Sequence, residues 1–368
     1  MRHPEADSLA LDLRAVMADT FIPRHIRRGR DGLTWEFYGK LAVPANLALD
    51  QWQAPFGRLG YTPFVFQAGA DDVVLARPAA GLLPTRPRWS LHLLLLLLTL
   101  ATLTTTGALL QAARAGPLTV TLASVLDALE QHGAAGLRFA AALLFILGAH
   151  ELGHYFVARR YAMLITPPFF LPSPPPPYGL GTLGAVIAMR SPIPGRRALF
   201  DVALAGPLAG LVVALPILVV GLREAGVAAF AVPVAPSLLA SGLAWLLRGP
   251  LPDGMQLDWF DPLLFAAWLG LQITAINLLP IGQLDGGHLV YAALGQAGIW
   301  PARLAWLGLV ALTPLAPTWG LYAVILLAVG LGHPPPQDDI TLLDPRRRAW
   351  AVAALVLLAL TFSARPIP

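Results

Sequence analysis

The chain contains Phe145-Ile-Leu-Gly-Ala-His150-Glu151-Leu-Gly-His154-Tyr-Phe-Val-Ala-Arg159-Arg160, a His-Glu-x-x-His pattern at the end of a strongly apolar run. On a helix, His150 and His154 lie on one face, so both imidazoles can bind one metal ion. Glu151 lies about 100° around the helix from His150, within reach of a water at that metal. Zinc would lower the pKa of this water, and Glu151 would accept its proton. Because ionisable groups inside apolar segments are costly, the pattern predicts a functional metal site within a membrane span.

The composition indicates a membrane protein. Of the 368 residues, 56% are hydrophobic and 12% are charged, and the mean hydropathy is +0.64. Soluble domains contain about 25% charged residues, so most of this chain is expected to lie in a bilayer. The net charge is +4, and the arginines lie beside apolar runs, which favours the positive-inside rule over nucleic-acid binding. Cysteine is absent, which excludes disulfides and thiolate metal ligands.

Residues 1–88 are mixed in composition and predict a small soluble α+β domain. Three stretches favour strands and one favours a short helix, namely residues 33–38, 61–66 and 71–76 for the strands and 46–57 for the helix. Roughly the first 30 residues, which include a cluster of arginines, are expected to form a poorly ordered basic tail that can contact anionic headgroups. Pro84 and Pro87 mark a short linker to the rest of the chain.

Residues 89–368 predict a polytopic α-helical membrane domain with about seven spans. The predicted spans are residues 91–113, 137–158, 198–222, 262–279, 302–315, 319–331 and 350–362. A loop of about two dozen residues that contains Asp127 and Glu130 is expected between the first two spans, and basic residues flank the start of the first span and the end of the second. Both of these ends, and the N-terminus, are therefore expected in the cytoplasm, with a bacterial inner membrane as the expected location. Gly206 and Gly210 in the third span predict a helix-packing surface rather than a chemical site.

The segment 166–197 cannot be a regular helix, because prolines interrupt it repeatedly. Residues 181–189 form an apolar, partly β-branched run, which the turn Pro192-Ile-Pro194-Gly195 follows. We predict a hairpin or loop that enters the membrane, where protein or water must satisfy its backbone. The alternative is an ordinary surface loop.

Zinc held by two histidines needs a third protein ligand, with the fourth position left for water. Asp285 is the clearest carboxylate in an apolar context, within the stretch Asn277-Leu-Leu-Pro280-Ile-Gly-Gln-Leu-Asp285-Gly-Gly-His288. The second and fourth spans both run inward, so the two motifs are expected at a similar membrane depth. The alternative for Asp285 is a turn residue before two glycines.

Other polar residues near these motifs allow two interpretations each. Asn277 is suited either to donate to a developing oxyanion or to cap the helix before Pro280. His288 is interpreted as a metal ligand, a partner of the metal ligands or an interfacial residue, and the last two are favoured. Asp201 and Asp261 are interpreted as helix caps.

Together these residues resemble the site-2 protease family of intramembrane zinc metalloproteases. The resemblance rests on His150-Glu151-Leu-Gly-His154, on residues 277–287 and on Ala205-Gly206-Pro207, while Gly181-Thr-Leu-Gly-Ala with Ser191-Pro-Ile-Pro resembles the chloroplast and bacterial branch. The resemblance implies one Zn²⁺ per chain within a core of residues 137–295, and a membrane-embedded hairpin near the site. It implies His150, His154 and Asp285 as zinc ligands, Glu151 as general base and Asn277 as a helper for the oxyanion. The loop at 223–258 is too short for a PDZ-like insertion.

These observations predict a hydrolase, an intramembrane zinc endopeptidase that cuts a transmembrane segment of another protein in regulated intramembrane proteolysis. The expected partners are a transmembrane protein substrate and the lipid bilayer, without nucleic acid, and no oligomeric state is predicted. One alternative is a non-proteolytic transporter or metal-binding protein, which would not need Glu151 beside a metal-binding histidine. Another is a membrane scaffold with a vestigial site.

Overall fold

The computed structural model describes residues 4–79, 87–114, 119–228 and 235–365. Its helices are α1 (Pro4–Val16), α2 (Ala45–Arg58), α3 (Trp89–Ala113), α4 (Leu122–Arg160), α5 (Arg196–Glu224), α6 (Leu238–Arg248), α7 (Pro262–Asn277), α8 (Asp285–Leu294), α9 (Ile299–Leu312), α10 (Pro317–Val329) and α11 (Pro345–Thr361). Its strands are β1 (Phe21–Arg28), β2 (Trp35–Leu41), β3 (Tyr61–Ala68), β4 (Asp71–Pro78), β5 (Phe169–Pro172), β6 (Thr182–Val186), β7 (Val227–Ala228) and β8 (Gln256–Leu257). The predicted linker residue Pro84 lies outside the described residues, and the domain boundary at residue 88 stays a prediction.

A four-stranded antiparallel sheet of order β1-β2-β4-β3 forms the N-terminal part of the described chain. Trp52 on α2 is fully buried in its core, and its indole N–H donates to Thr20 Oγ1 over 2.8 Å. The expected disorder of roughly the first 30 residues was wrong for the described residues from 4 onward, which form α1 and β1. Leu13 and Met17, at and just after the end of α1, are fully buried, and Phe21 on β1 packs edge-on against Trp52. Burial of these apolar side chains orders a segment whose arginines alone indicated a tail.

Three helices in the described ranges are long and apolar enough to cross a membrane, namely α3, α4 and α5, with 25, 39 and 29 residues. The helix α4 begins at Leu122, well before the predicted start at residue 137, so the predicted loop before it is wrong. Thr121 and Ser124 form a capping box that starts the helix, which extends without a break to Arg160. The sequence interpretation treated the acidic residues Asp127 and Glu130 as loop markers, but both are exposed on this helix.

The prediction of about seven spans is not confirmed. The helices α7, α9, α10 and α11, which cover the other four predicted spans, contain 16, 14, 13 and 17 residues. At 1.5 Å per residue these helices are about 20–26 Å long. A hydrocarbon core of about 30 Å is thicker than that.

The helix α4 packs against α3, α5 and α7 and forms the centre of the helical part. Phe139, Ile146, Phe265 and Trp268 share its main apolar core. The crossing of α3 and α4 needs glycine, because a Cβ added at Gly107 would lie 2.8 Å from the Cα of Gly136 on α4. Close backbone contact of this kind holds α4 firmly between its neighbours.

A hairpin lies beside these helices, in the region where one was predicted. Strands β5 and β6 pair antiparallel, with Phe170 opposite Ala185. Thr102 Oγ1 on α3 donates to the carbonyl oxygen of Gly181 over 2.6 Å, which fixes the start of β6 against the helix. The hairpin is therefore present, while its depth in a membrane stays a prediction.

Residues 337–339 connect the N-terminal sheet to the helices. The backbone N–H of Val65 on β3 donates to the carbonyl of Gln337 over 2.6 Å, and Asp339 donates back to Val65 over 2.9 Å. On the other side, Gln337 donates to Ile193 over 2.9 Å. This short segment bridges the sheet edge and the turn that precedes α5.

The two predicted caps have different outcomes. Asp261 caps α7, since its side chain accepts from the backbone N–H of Leu263 and Leu264. Asp201 is not a cap: it lies inside α5 and accepts hydrogen bonds from the Tyr161 hydroxyl over 2.5 Å and from Arg347 over 2.6 Å. The sequence could not show these partners, because one lies 146 residues further along the chain.

Candidate metal centre

His150 and His154 lie on one face of α4, as their spacing predicts. Both are buried, and their Nε2 atoms lie 3.1 Å apart. The surrounding apolar run contains no proline, so the helix continues through the motif. The two imidazoles therefore point into the same interior space between α4, α5 and the chain after α7.

Asp285, the first residue of α8, reaches the same space. Its Oδ2 atom lies 3.2 Å from His150 Nε2 and 3.4 Å from His154 Nε2. The glycines that follow Asp285 permit a tight turn, because a Cβ on Gly286 or Gly287 would overlap backbone carbonyls of residues 278–282. Asp285 is therefore more than a turn residue. Among the described residues, His150, His154 and Asp285 form a group whose potential ligand atoms all lie within 4.8 Å of one another.

The hydrogen bonds show which of these atoms carry lone pairs. His154 Nδ1 lies 2.7 Å from the carbonyl oxygen of Val202, which can only accept, so Nδ1 carries a proton, and in the neutral ring Nε2 has the lone pair that a metal needs. Asp285 Oδ2 is buried, yet it has no hydrogen-bond partner among the described residues. Atoms bound about 2.0–2.1 Å from a tetrahedral zinc lie about 3.3–3.4 Å apart. The observed separations of 3.1, 3.2 and 3.4 Å match that spacing, so the three residues fit a zinc ion.

Glu151 lies beside this group on α4, and 7% of its surface is exposed. The backbone N–H of Ile187, directly after β6, lies next to its carboxylate. The residue that the motif predicts as the base is therefore held between α4 and the hairpin.

Asn277 is the last residue of α7, and its side chain enters the site. Its Nδ2 atom lies 3.3 Å from His150 Nε2. The chain turns after Asn277, and Asp285 returns to the same place within eight residues of sequence. The stretch from Asn277 to Asp285 thus contributes two polar side chains to one site, which a simple cap at the helix end would not do.

Sequence reasoning missed the role of the third span in the site. A Cβ on Gly206 of α5 would overlap the His154 imidazole, and one on Gly210 would lie 3.3 Å from the His150 Cβ. These glycines are a packing surface, as predicted, but the atoms packed there are those of the two histidines. Pro207 cannot donate the helical hydrogen bond to the Ala203 carbonyl, which lies next in sequence to the Val202 carbonyl that meets His154. The Ala205-Gly206-Pro207 stretch was the available signal.

His288 lies one turn after Asp285 but is not part of the ligand group. It is buried, and its ring meets the His333 ring edge-on with centroids 4.5 Å apart. This burial disfavours the interpretation of His288 as an interfacial residue. It agrees with a packing position behind Asp285.

The part of the chain that contains this site is similar to known peptidases. Residues 138–305 match the family model described as peptidase family M50, the site-2 protease family, and this range contains the whole candidate site. The chain is 35% identical over 240 residues to "Probable zinc metalloprotease EGY1, chloroplastic" of Arabidopsis thaliana, an alignment that covers 62% of the chain and 42% of that protein. It is 33% identical over 230 residues to "Probable zinc metalloprotease EGY2, chloroplastic" of the same plant, covering 60% and 40%.

A third relative, "Probable zinc metalloprotease EGY3, chloroplastic" of Oryza sativa subsp. japonica, is 30% identical over 247 residues, covering 60% of the chain and 41% of the relative. The chain thus spans less than half the length of these relatives. The predicted resemblance to the site-2 protease family and its chloroplast-like branch is confirmed. The expected bacterial inner membrane is not supported by these proteins, whose names place them in chloroplasts.

Proposed function

We propose that this chain, whose residues 138–305 belong to peptidase family M50, is a zinc endopeptidase that hydrolyses a peptide bond in or near a transmembrane segment of another membrane protein. The observation that carries the proposal is the meeting of His150, His154 and Asp285 around one point, with Glu151 beside them. The relatives' names, each a probable zinc metalloprotease, agree with this chemistry.

The two histidines and Asp285 would hold one Zn²⁺ through two Nε2 atoms and a carboxylate oxygen. Three protein ligands leave one position open, which is typical of catalytic rather than structural zinc sites. When bound, the metal supplies Lewis-acid activation of water and of a peptide carbonyl. The hydrogen bond from His154 to the Val202 carbonyl orients this ligand, as such outer partners do in other zinc sites.

Glu151 would act as the general base. Its carboxylate would take a proton from the attacking water and deliver it to the leaving amine. Its burial and the adjacent backbone N–H of Ile187 hold it in place for both transfers. Asn277 would support the reaction by donating from Nδ2 to the oxyanion that develops on the scissile carbonyl.

The substrate would bind along the hairpin. A transmembrane helix hides its peptide carbonyls in helical hydrogen bonds, so it must unwind before hydrolysis. An unwound strand can add to the edge formed by residues 181–189 through backbone hydrogen bonds. Leu183 on β6 is 76% exposed, and Ile187 further along lies next to Glu151. A strand paired there would therefore pass the base and the metal ligands.

The site lies in α4, a candidate span, close to its basic end at Arg159 and Arg160. By the positive-inside rule this end faces the cytoplasm, so cleavage is proposed near the cytoplasmic end of the substrate segment. The N-terminal sheet is hydrogen-bonded, through residues 337–339, to the turn before α5 and therefore lies on the same side. Further spans beyond α3, α4 and α5, toward the expected total of about seven, remain part of this proposal.

The test uses the full chain with about one zinc, incubated with casein and with tagged single-pass transmembrane segments in proteoliposomes. Glu151→Gln keeps the shape of the side chain but removes the base, so we expect zinc to be retained and cleavage to fall about 10²–10⁴-fold. Glu130→Gln is the matched control, because Glu130 is an exposed glutamate on the same helix. Cleavage that survives in the Glu151 variant would overturn the assignment of the base.

The alternative function is a non-proteolytic metal transporter or scaffold. Zinc flux into proteoliposomes, together with no cleavage of any of these substrates by the zinc-loaded parent, would favour a transporter. Absence of both activities in a folded, zinc-loaded protein would favour a scaffold. The buried position of Glu151 beside the ligand group argues against both, since neither function needs a base there.

A further inference from the structure

A cavity of about 800 Å³ lies where α3 begins and α4 ends. Arg88 and Trp89 line it from the start of α3, and Tyr155 and Arg159 line it from the end of α4. The chain after α4 closes the remaining side, together with Arg190. The cavity does not include the metal ligands or Glu151, so it is separate from the candidate metal centre.

The lining of this cavity carries positive charge without a compensating acid. It contains three arginines and no aspartate or glutamate. Within the part of the chain that the structure describes, Arg88 and Arg190 have no carboxylate partner. Arg159 donates to the Tyr155 hydroxyl over 3.0 Å and lies over that ring, so its charge is also not neutralised. The sequence of residues 80–86 contains no acid either. Three uncompensated cations around one cavity favour an anionic ligand.

The cavity also lies at the level of a membrane interface. It is located at one end of two candidate spans, and Trp89 at its rim is 66% exposed, as is typical of aromatic residues at the headgroup level. Apolar side chains continue from it along both helices. On α3, Leu94 and Leu98 follow Leu91 on one face and are 53% and 45% exposed.

On α4, the same pattern extends away from Arg159. Phe156 and Leu152, three and seven residues before Arg159, are 60% and 40% exposed. The cationic cavity thus lies at one end of two outward-facing rows of apolar side chains, one on α3 and one on α4. This combination matches a phosphate headgroup with two acyl chains, because the charged group would lie in the cavity and its chains along the two apolar rows.

We infer that this cavity binds the headgroup of an anionic phospholipid, with its acyl chains along α3 and α4. The phosphate lies between Arg88, Arg159 and Arg190, and Trp89 and Tyr155 flank it at the interface. Because α4 also carries His150 and His154, the bound lipid holds the end of the catalytic helix against α3. The inference does not depend on the proposed peptidase activity.

The experiment measures binding of fluorescent phosphatidylglycerol and phosphatidylcholine to the purified full chain in detergent. We expect preference for phosphatidylglycerol, and a loss of about fivefold in affinity for each arginine replaced by glutamine. The triple variant Arg88→Gln/Arg159→Gln/Arg190→Gln should therefore lose about a hundredfold. If the triple variant does not fold, the single variant Arg190→Gln replaces it, and we expect its affinity for phosphatidylglycerol to fall about fivefold.

The matched control removes three charges elsewhere. Arg197→Gln/Arg346→Gln/Arg348→Gln changes exposed arginines at the starts of α5 and α11, on the same side of the helices as the cavity. This control should keep its phosphatidylglycerol affinity, and both triple variants should keep about one zinc. An equal loss in the control would mean diffuse charge attraction and overturn the inference, as would equal binding of phosphatidylcholine.

Two soluble competitors test whether the cavity binds another kind of anion instead of a phospholipid. Inorganic phosphate that displaces the lipid at equal concentration would reassign the cavity to a free anion. Soluble hexaglutamate that does so would reassign it to an acidic polypeptide, such as a substrate flank. Either result overturns the lipid inference, whereas the absence of competition by both supports it.

Discussion

Asp285 and Asp339 are two aspartates with little solvent exposure and opposite surroundings. The side chain of Asp339 is 5% exposed and accepts from Arg196 Nε over 2.8 Å and from the Tyr291 hydroxyl over 3.0 Å. The side chain of Asp285 is 16% exposed, but its Oδ2 atom faces two imidazole Nε2 atoms and has no hydrogen-bond donor among the described residues. The Asp339 carboxylate has hydrogen-bond donors within the protein, whereas the Asp285 carboxylate is placed to bind a cation.

The two residues show that a buried aspartate can either stabilise the fold, as Asp339 does, or be placed to bind a metal ion, as Asp285 is. A buried carboxylate with complementary donors stabilises one arrangement of chain segments, here residues 337–339 against α5 and α8. Burial next to Asp339 raises the pKa of Tyr291, so its phenol keeps the proton that it donates. A buried carboxylate oxygen that faces two imidazole Nε2 atoms and has no hydrogen-bond partner among the described residues suits a bound cation, and this feature identifies the candidate site.

The largest expected effect is on metal binding. Asp285→Asn removes the anionic ligand and supplies an amide that can donate to the histidines, so the protein should fold without metal. We expect zinc to fall from about one per chain to near zero by elemental analysis. Asp339→Asn is the matched variant and should keep its zinc. Retention of zinc by the Asp285 variant would contradict the assigned ligand set.

The next effect is on stability. Asp339→Ala leaves Arg196 and Tyr291 without their acceptor, and we expect a loss of about 3–5 kcal/mol in the free energy of unfolding. Denaturant unfolding in detergent measures it, with the zinc content of the folded fraction unchanged. The control Glu224→Ala removes an exposed partner of Arg138, and should cost about 0–1 kcal/mol. Equal losses in both variants would show that the Asp339 contacts contribute no more than a surface pair.

A smaller effect should follow from packing behind the ligands. Gly206→Ala places a Cβ where the His154 imidazole lies, so the ring must turn away from the Val202 carbonyl. We expect zinc affinity to fall about 10–100-fold in competition with a chelator. Gly210→Ala adds a methyl group only 3.3 Å from the His150 Cβ, which a small shift relieves, and should change the affinity less. A reversed order would place the critical contact at His150.

The smallest effect concerns the attachment of the N-terminal sheet. Gln337→Ala removes side-chain hydrogen bonds to Gln53 over 3.0 Å and to the Pro63 carbonyl over 3.2 Å, while the backbone bonds to Val65 remain. We expect a loss of about 1–2 kcal/mol, seen as faster hydrogen exchange in β3 with unchanged exchange in α4. Faster exchange in α4 as well would show that the sheet supports the metal centre directly.

The candidate site could be predicted from the sequence to a large extent because its parts follow local rules. The spacing of His150 and His154 depends only on helix geometry, which an apolar run without proline provides. The link to Asp285 needed one further argument, that two spans running inward end at a similar depth. The structure brings these three residues together, although their roles remain proposals until the variants are measured.

The fold was predicted less well where it depends on the length of a helix or on contacts between residues far apart in the sequence. Hydropathy alone interpreted the apolar stretches 302–315 and 319–331 as spans, but the helices there, α9 and α10, contain only 14 and 13 residues, which is short for a bilayer. The expected basic tail became α1 and β1, since the apolar residues between its arginines pack under Trp52. Local composition could not report that this segment is ordered, because the packing partners lie elsewhere in the sequence.

By itself the sequence determined the apolar character of the chain, the shared face of His150 and His154 on α4, the hairpin region and the polar stretch from Asn277 to Asp285. Each follows from short-range spacing or from average polarity. Only the tertiary structure decided that Gly206 makes room for His154, that Val202 selects its tautomer, and that Asp339 joins the sheet to α5. These contacts join residues 48 to 143 positions apart, and no local rule of helix or strand formation specifies them.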